Sequence, residues 1–163
     1  MADYFTHLSF EFEMPSEKAA GDAVDLMEEI IKRLDESWDA DDGTEVDWTG
    51  EFARFKEYEF SPDLCIEADG KTVWIRDDCG GPNIDLLCDY LQLVLQRFDP
   101  PGAIGFEWSG DCSKHRCDAF GGGAAFITAE KIDYINGWQW LTQKREAWAA
   151  EHGKAGEVQS CKA

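Results

Sequence analysis

Long apolar runs are missing from this sequence, and so is a basic N-terminal segment followed by an apolar stretch. A helix that spans a bilayer needs roughly 18 or more consecutive apolar residues, and a signal peptide needs a basic region before its apolar core. We therefore expect no membrane span and a cytoplasmic location. In a reducing compartment, the six cysteines are expected to be thiols before they are disulfides.

Basic residues are also scarce. Lys and Arg number 15 against 34 Asp and Glu, so the formal net charge is −19. Residues 1–51 alone hold 16 acidic and 3 basic residues, a net charge of −13, and no basic residue lies between Arg33 and Arg54. Such a surface repels nucleic acid and anionic membranes, because both are polyanions, and it attracts basic protein surfaces. We expect a basic nucleic-acid-binding protein as the partner, with no direct binding to nucleic acid or membrane.

A compact zinc motif is absent, since no two cysteines have only two residues between them. Cys112 and Cys117 have four residues between them, with His115 in the same segment. This spacing favours unlinked thiols and no cofactor. A metal site or a redox pair in the segment is the alternative.

The run Lys114-His115-Arg116 lies close to three consecutive glycines at 121–123. Cations and backbone amides together can form an anion pocket. A Walker loop, however, needs Gly-Lys-Ser or Gly-Lys-Thr entering a helix, and these glycines enter a predicted strand. Asp111 and Asp118 flank the cations, which favours a surface loop closed by local ion pairs.

Catalytic candidates near predicted strand ends are Asp77, Asp78, Glu107 and His115. Their spacing does not assemble a nucleophile, a base and an orienting group, and no hydrolase or metalloenzyme motif is present. The sequence therefore predicts a protein that is not an enzyme.

Periodicity predicts the fold. Residues 4–13 alternate as in a half-buried strand, and an Asp-Gly pair at 69–70 predicts a hairpin between 64–67 and 72–76. A second apolar periodicity predicts a helix over 84–98. The first helix starts after Ser16, and its predicted apolar stripe is Ala20, Val24, Met27, Ile31, Leu34 and Trp38.

Further strands are predicted over 52–60, 103–108 and 122–127, and a third helix from Thr128 to about Glu151. Hairpins interleaved with helices are typical of the α+β class. We expect one mostly antiparallel sheet of about five to six strands with three helices packed on it. Residues 1–152 would form a single domain, followed by a flexible tail at 153–163.

Gly122 and Gly123 are predicted to be structural. A residue without Cβ lets a backbone or a ring approach closely, and Trp108, Phe120 and Phe126 are the nearby rings.

The first helix and the loop after it are the strongest candidate for a functional surface. Carboxylates three and four apart on a helix are about 5–6 Å apart, comparable to neighbouring phosphates along a nucleic-acid strand. A rigid, one-sided array can therefore imitate a nucleic-acid backbone, although a merely solvated face is the alternative. The candidate partner-binding residues are Asp22, Asp25, Glu28, Glu29, Asp35, Glu36, Asp39, Asp41, Asp42, Glu45 and Asp47.

The segment from Phe106 to Phe126, with Trp138 and Trp140 after it, resembles small uncharacterised acidic proteins of bacterial plasmids and phages. That resemblance implies no activity for any residue. In charge alone, the chain also resembles DNA-mimicking anti-restriction and anti-CRISPR inhibitors. We expect a non-enzymatic inhibitor of a host nucleic-acid-binding defence complex. The alternative is a small-molecule or metal-dependent activity at the Cys112–Cys117 loop and the glycine strand.

Overall fold

The structure is a computed structural model that describes residues 3–38, 46–58, 63–78, 80–114 and 120–152. These ranges contain seven strands, three α-helices and one short 3₁₀ helix. In chain order the elements are β1 (Tyr4–His7), β2 (Ser9–Glu13), α1 (Glu17–Trp38), the 3₁₀ helix (Gly50–Phe55), β3 (Leu64–Asp69), β4 (Thr72–Asp77), α2 (Ile84–Phe98), β5 (Ala103–Cys112), β6 (Gly121–Thr128), β7 (Ile132–Asn136) and α3 (Gly137–His152). The α+β class with antiparallel strands and three helices is confirmed.

The strands form two antiparallel sheets that share the N-terminal run. Sheet A has the order β1-β5-β6-β7, and sheet B has the order β2-β4-β3. The run changes sheets at Leu8: β1 pairs with β5 before it, and β2 pairs with β4 after it. Asp77 holds this crossing, because its N–H donates to the Leu8 carbonyl at 3.0 Å and its carboxylate accepts from the Leu8 N–H at 2.9 Å. The predicted single sheet is thus divided at one residue.

The hydrophobic core lies between the two sheets and the helices α1 and α2. We call the side of the sheets that faces these helices the inner face, and the opposite side the outer face. Helix α1 contacts β3 and β4, while α2 contacts β6. The helices also contact each other, and the buried Tyr90 hydroxyl of α2 donates a hydrogen bond of 2.8 Å to the Ala23 carbonyl of α1. Burial raises the pKa of Tyr90 well above its ordinary value, so it stays a hydrogen-bond donor.

The buried stripe of α1 is rotated relative to the predicted one. Val24 and Ile31 are only partly buried, and Trp38 is 66% exposed. The stripe that packs against the core instead includes alanines, whose small side chains let α1 approach its neighbours closely. The buried residues are Ala19, Ala20, Ala23, Leu26, Met27, Ile30 and Leu34.

The predicted strand over 52–60 is wrong. Its described part begins with the 3₁₀ helix, in which Phe55 is fully buried while Phe52 lies nearer the surface. The Arg33 and Arg97 guanidinium carbons lie 4.2 Å and 5.4 Å from the Phe52 ring centroid, and Arg97 also forms an ion pair with Glu51. The cations that cover Phe52 thus come from α1 and α2, which the local pattern of 52–60 does not contain.

The predicted third helix begins too early. Thr128 closes a turn: its N–H donates to the Lys131 carbonyl at 2.8 Å, and its hydroxyl accepts from the Lys131 N–H at 3.0 Å. The chain therefore folds back into β7, which pairs with β6, and α3 begins only at Gly137. Thr128 is a turn residue rather than a helix cap.

Helix α3 packs against β6 and β7 without burying a side chain between Gly137 and Glu151. Its large apolar residues Trp138, Trp140, Leu141 and Trp148 are all exposed. In the described ranges, no helix has both the length and the apolar character that crossing a bilayer requires. The predicted tail at 153–163 lies outside the described residues.

Candidate functional site

The six acidic candidates on α1 lie on the side of the helix away from its buried stripe. We call them the acidic face: Asp22, Asp25, Glu28, Glu29, Asp35 and Glu36. At about 1.5 Å per residue, the positions from first to last span about 21 Å. Asp22 is partly buried and the other five are exposed. The structure therefore brings these six predicted residues together on one rigid element.

Three of the six carboxylates already have a cation from the same helix. Lys18 pairs with Asp22 at 2.6 Å, Arg33 with Glu29 at 2.7 Å and Lys32 with Glu36 at 3.6 Å. All three pairs have the i,i+4 spacing, which is readable in the sequence. A count of the acidic residues alone does not reveal this compensation.

Asp25, Glu28 and Asp35 have no ion-pair partner within the part of the chain that the structure describes. Their side chains are exposed and lie at helix positions three and seven apart. These three residues therefore carry the uncompensated charge of the acidic face.

Of the loop candidates, Asp39, Asp41, Asp42 and Glu45 lie outside the described residues. Asp47 is described, and its carboxylate accepts a hydrogen bond of 3.0 Å from the Thr49 N–H. Hydrogen bonds from the Thr49 side chain and backbone lower the pKa of Asp47. The Arg33 guanidinium also donates to the Asp47 carbonyl, so one arginine ties this segment to α1.

The cysteine loop is described only at its ends. Cys112 is the last residue of β5, whereas His115, Arg116, Cys117 and Asp118 lie outside the described residues. Cys65, Cys88 and Cys112 are unpaired thiols, and burial raises the pKa of Cys88 to about 12. No group of three or more His, Cys, Asp or Glu side chains is arranged to hold a metal ion among the described residues. The loop hypothesis stays a prediction.

Gly122 and Gly123 occupy positions where a Cβ would collide. At Gly122, φ is +148°, and a Cβ would lie 2.5 Å from the Trp108 carbonyl oxygen. At Gly123, a Cβ would lie less than 3.0 Å from the Ile135 carbonyl oxygen and from the Trp108 ring. The predicted ring contact is therefore confirmed for Trp108. Phe120 and Phe126 are mostly exposed and do not make it.

A pocket of roughly 410 Å³ lies where the two sheets meet. We call it the junction pocket; its lining is His7, Leu8, Ser9, Asp77, Glu107, Trp108 and Ser109. It brings together two of the four catalytic candidates, Asp77 and Glu107. Asp78 instead pairs with Arg76 at 3.8 Å, and His115 lies outside the described residues.

His7 is the pocket residue that sequence analysis missed. Its Nδ1 lies 3.3 Å from Asp77 Oδ2, and its Nε2 lies 3.6 Å from Asp111 Oδ1. In the pairing of β1 with β5, His7 is directly opposite Ser109. No local pattern contains this cluster, because residues 7, 77 and 109 meet only through sheet pairing. The alternation of residues 4–13 is the one available signal, since it puts His7 and Ser9 on the same face.

Asp77 remains ionised although it is partly buried. Burial by itself would raise the pKa of its carboxyl group, but hydrogen bonds from the Leu8 N–H and the His7 ring outweigh burial and lower it. Because the folded-state pKa is lowered, Asp77 stabilises the fold above its ordinary pKa of about 3.9. That contribution is lost as pH falls through the folded-state pKa.

We predict that Asp77→Ala lowers the free energy of unfolding by about 1–3 kcal/mol at pH 7, because the Leu8 N–H at the crossing loses its acceptor. Urea unfolding at pH 7 and at a series of lower pH values measures this. The gap between variant and wild type should narrow as the pH falls through the lowered folded-state pKa of Asp77. Asp78→Ala is the matched control, with an expected change within about 0.5 kcal/mol at pH 7. Equal losses in both variants, or a gap independent of pH, contradict the assignment.

No known protein family matches this chain, and neither a curated protein nor a solved structure shows significant similarity to it. The candidate sites therefore rest on the residues and their geometry alone.

Proposed function

We propose that this protein is a non-enzymatic interaction protein whose acidic face binds a basic surface of a nucleic-acid-binding protein. The observation that carries the proposal is the alignment of six carboxylates on one exposed side of α1 over about 21 Å. The partner belongs to a cytoplasmic host-defence complex of the kind that anti-CRISPR or anti-restriction proteins inhibit. Binding occludes the groove in which that complex holds nucleic acid.

Rigidity supports this proposal. A mimic must present its charges in a fixed order, and α1 is held by its buried stripe and by the hydrogen bond from Tyr90 to Ala23. Carboxylates three and four apart on such a helix are about 5–6 Å apart. A groove lined with Lys and Arg that fits successive phosphates can therefore contact successive carboxylates.

The ion pairs within α1 indicate which carboxylates contribute most to binding the partner. Exposed i,i+4 pairs contribute only about 0.3–0.5 kcal/mol, so a partner's cations can displace Lys18 and Lys32 at small cost. Arg33 is held more firmly, because it also contacts the Phe52 ring and the Asp47 carbonyl. Asp25, Glu28 and Asp35 need no such displacement. We therefore assign them the larger share of the binding energy.

We predict that Asp25, Glu28 and Asp35 changed together to Lys abolish capture of the basic partner from a bacterial lysate. Wild-type capture should weaken as salt rises, because exposed charges are screened, and added DNA should compete with it. Single changes should be nearly silent, since one exposed charge is worth less than about 1 kcal/mol. The measurement is a pull-down at low and high salt with mass spectrometry of the captured proteins.

The matched control changes Glu130, Glu146 and Glu151 to Lys. This alters the net charge equally, but the three residues lie on the β6–β7 turn and on α3. This variant should bind as wild type does. Circular dichroism checks that both variants are folded. Salt-insensitive capture, or equal loss in both variants, refutes the mimic and leaves the Cys112–Cys117 loop as the alternative site.

A further inference from the structure

The junction pocket is built from four strands, and its side chains come from both sheets. His7 belongs to β1, Ser9 to β2, Asp77 to β4, and Glu107 and Ser109 to β5. The acidic face consists of residues of α1 alone, and none of them lines this pocket. The two surfaces are therefore separate.

The chemistry of the junction pocket favours a cation. Its lining contains the carboxylates of Asp77 and Glu107, and among the described residues no Lys or Arg lines it. Asp111 lies beside it: its Oδ1 has no hydrogen-bond partner within the described ranges and is 3.6 Å from His7 Nε2. The Ser9 and Ser109 hydroxyls add neutral acceptors. An anionic ligand would be repelled by the Asp77 and Glu107 carboxylates, and the His7 ring already lies beside Asp77, whereas a cation gains an ion pair with Glu107 and hydrogen bonds.

An exposed indole lies next to the pocket. Trp74 Nε1 donates a hydrogen bond of 2.9 Å to the Ser9 hydroxyl, and the ring is 40% exposed on the outer face. Glu11 and Glu67 are its direct cross-strand neighbours on either side. The Arg76 guanidinium carbon lies 5.2 Å from the Trp74 ring centroid. This indole therefore already accepts one guanidinium group of the chain itself.

We propose that the junction pocket binds a guanidinium or primary ammonium group. The Glu107 carboxylate forms the ion pair, and the Ser109 hydroxyl accepts a hydrogen bond from the bound cation. Trp74 and the acidic residues beside it hold the rest of the ligand. At roughly 410 Å³ the pocket has the size of a small-molecule site. This binding goes beyond the proposed function, because it needs one cationic group rather than an extended basic groove.

The test uses the full-length, ¹⁵N-labelled protein titrated with N-acetyl-arginine amide. Saturable shifts are expected in the backbone amides of His7 and Ser109 and in the Trp74 indole N–H, with dissociation constants in the range of about 0.1–10 mM. N-acetyl-citrulline amide has nearly the same shape without the charge, and it should give no saturable shifts. Agmatine and a tri-arginine peptide distinguish the sources: tighter binding of agmatine indicates a free small molecule, and tighter binding of the peptide indicates a protein side chain.

Glu107→Gln keeps the size of the side chain and removes its charge, and it should weaken binding of N-acetyl-arginine amide by about fivefold or more. Glu130→Gln, outside the pocket, should leave the affinity unchanged. The variant with Asp25, Glu28 and Asp35 changed to Lys should still bind, so a failed mimic and a failed pocket give different results. The proposal is overturned by the absence of saturable shifts up to about 50 mM, by equal binding of citrulline, by shifts confined to α1, or by unchanged affinity in Glu107→Gln.

Discussion

Replacing Gly123 with alanine is expected to lower the free energy of unfolding by about 2–3 kcal/mol. A Cβ at this position would lie less than 3.0 Å from the Ile135 carbonyl oxygen on one side and from the Trp108 ring on the other. The carbonyl belongs to the β6–β7 pairing and cannot retreat without breaking it. Overpacking of this kind typically costs 1–3 kcal/mol, and a rigid neighbour places the cost at the upper end. Urea unfolding followed by fluorescence measures it.

Gly121→Ala is the matched control, two positions earlier in the same strand. A Cβ there has no neighbour within 4 Å, so we expect a change within about 0.5 kcal/mol. Similar stability of the two variants would show that Trp108 does not pack on Gly123. A stable Gly123→Ala protein that has lost its function would instead favour a ligand site at the glycine strand.

Phe55→Ala is expected to cost about 3–5 kcal/mol, the usual range for removing a fully buried aromatic ring. Phe55 is fully buried in the 3₁₀ helix and packs near Tyr58, whose hydroxyl donates a hydrogen bond of 2.8 Å to Asp89 of α2. Losing the ring leaves a cavity beneath a segment whose other anchors are surface ion pairs and hydrogen bonds to α1 and α2. Chemical denaturation gives the free energy of unfolding.

The exposed Phe120→Ala serves as the comparison for Phe55→Ala, because the same atoms are removed from a ring that is 62% exposed. Its expected effect is within about 0.5 kcal/mol. If the two variants lose equal stability, Phe55 is not a core residue and the 3₁₀ segment is not docked as described.

Local patterns predicted the elements that local physics determines. The helices α1 and α2 and the Asp-Gly hairpin are confirmed, because each depends on neighbours in sequence. The buried stripe of α1 is nevertheless rotated, and the strand predicted in residues 4–13 is divided between two sheets at Leu8. The predictions that are wrong concern segments whose structure depends on residues distant in sequence. The strand predicted over 52–60 is wrong partly because the two arginines that cover Phe52 come from α1 and α2, which a local pattern does not contain. Thr128 was predicted to be a helix cap, but a threonine hydroxyl suits a turn equally well, and the local sequence does not distinguish the two.

The same distinction between local patterns and long-range contacts applies to the candidate sites. The acidic face is one helix, so its residues could be selected from spacing alone. The junction pocket joins residues from four strands, and only the pairing of β1 with β5 and of β2 with β4 brings them together. His7 was therefore invisible to sequence reasoning, although Asp77 and Glu107 were selected one by one.

The change of sheets at Leu8 also orders the steps of folding. Strands β3 and β4 form a local hairpin, and β2 adds to it once residues up to 77 are available. Strand β1 must wait for β5, since Tyr4 pairs with Cys112 across more than a hundred residues. Contacts between residues so far apart in sequence form slowly, because the intervening chain loses conformational entropy before the contact stabilises the fold. On a ribosome, β1 is thus synthesised long before β5, the strand with which it pairs.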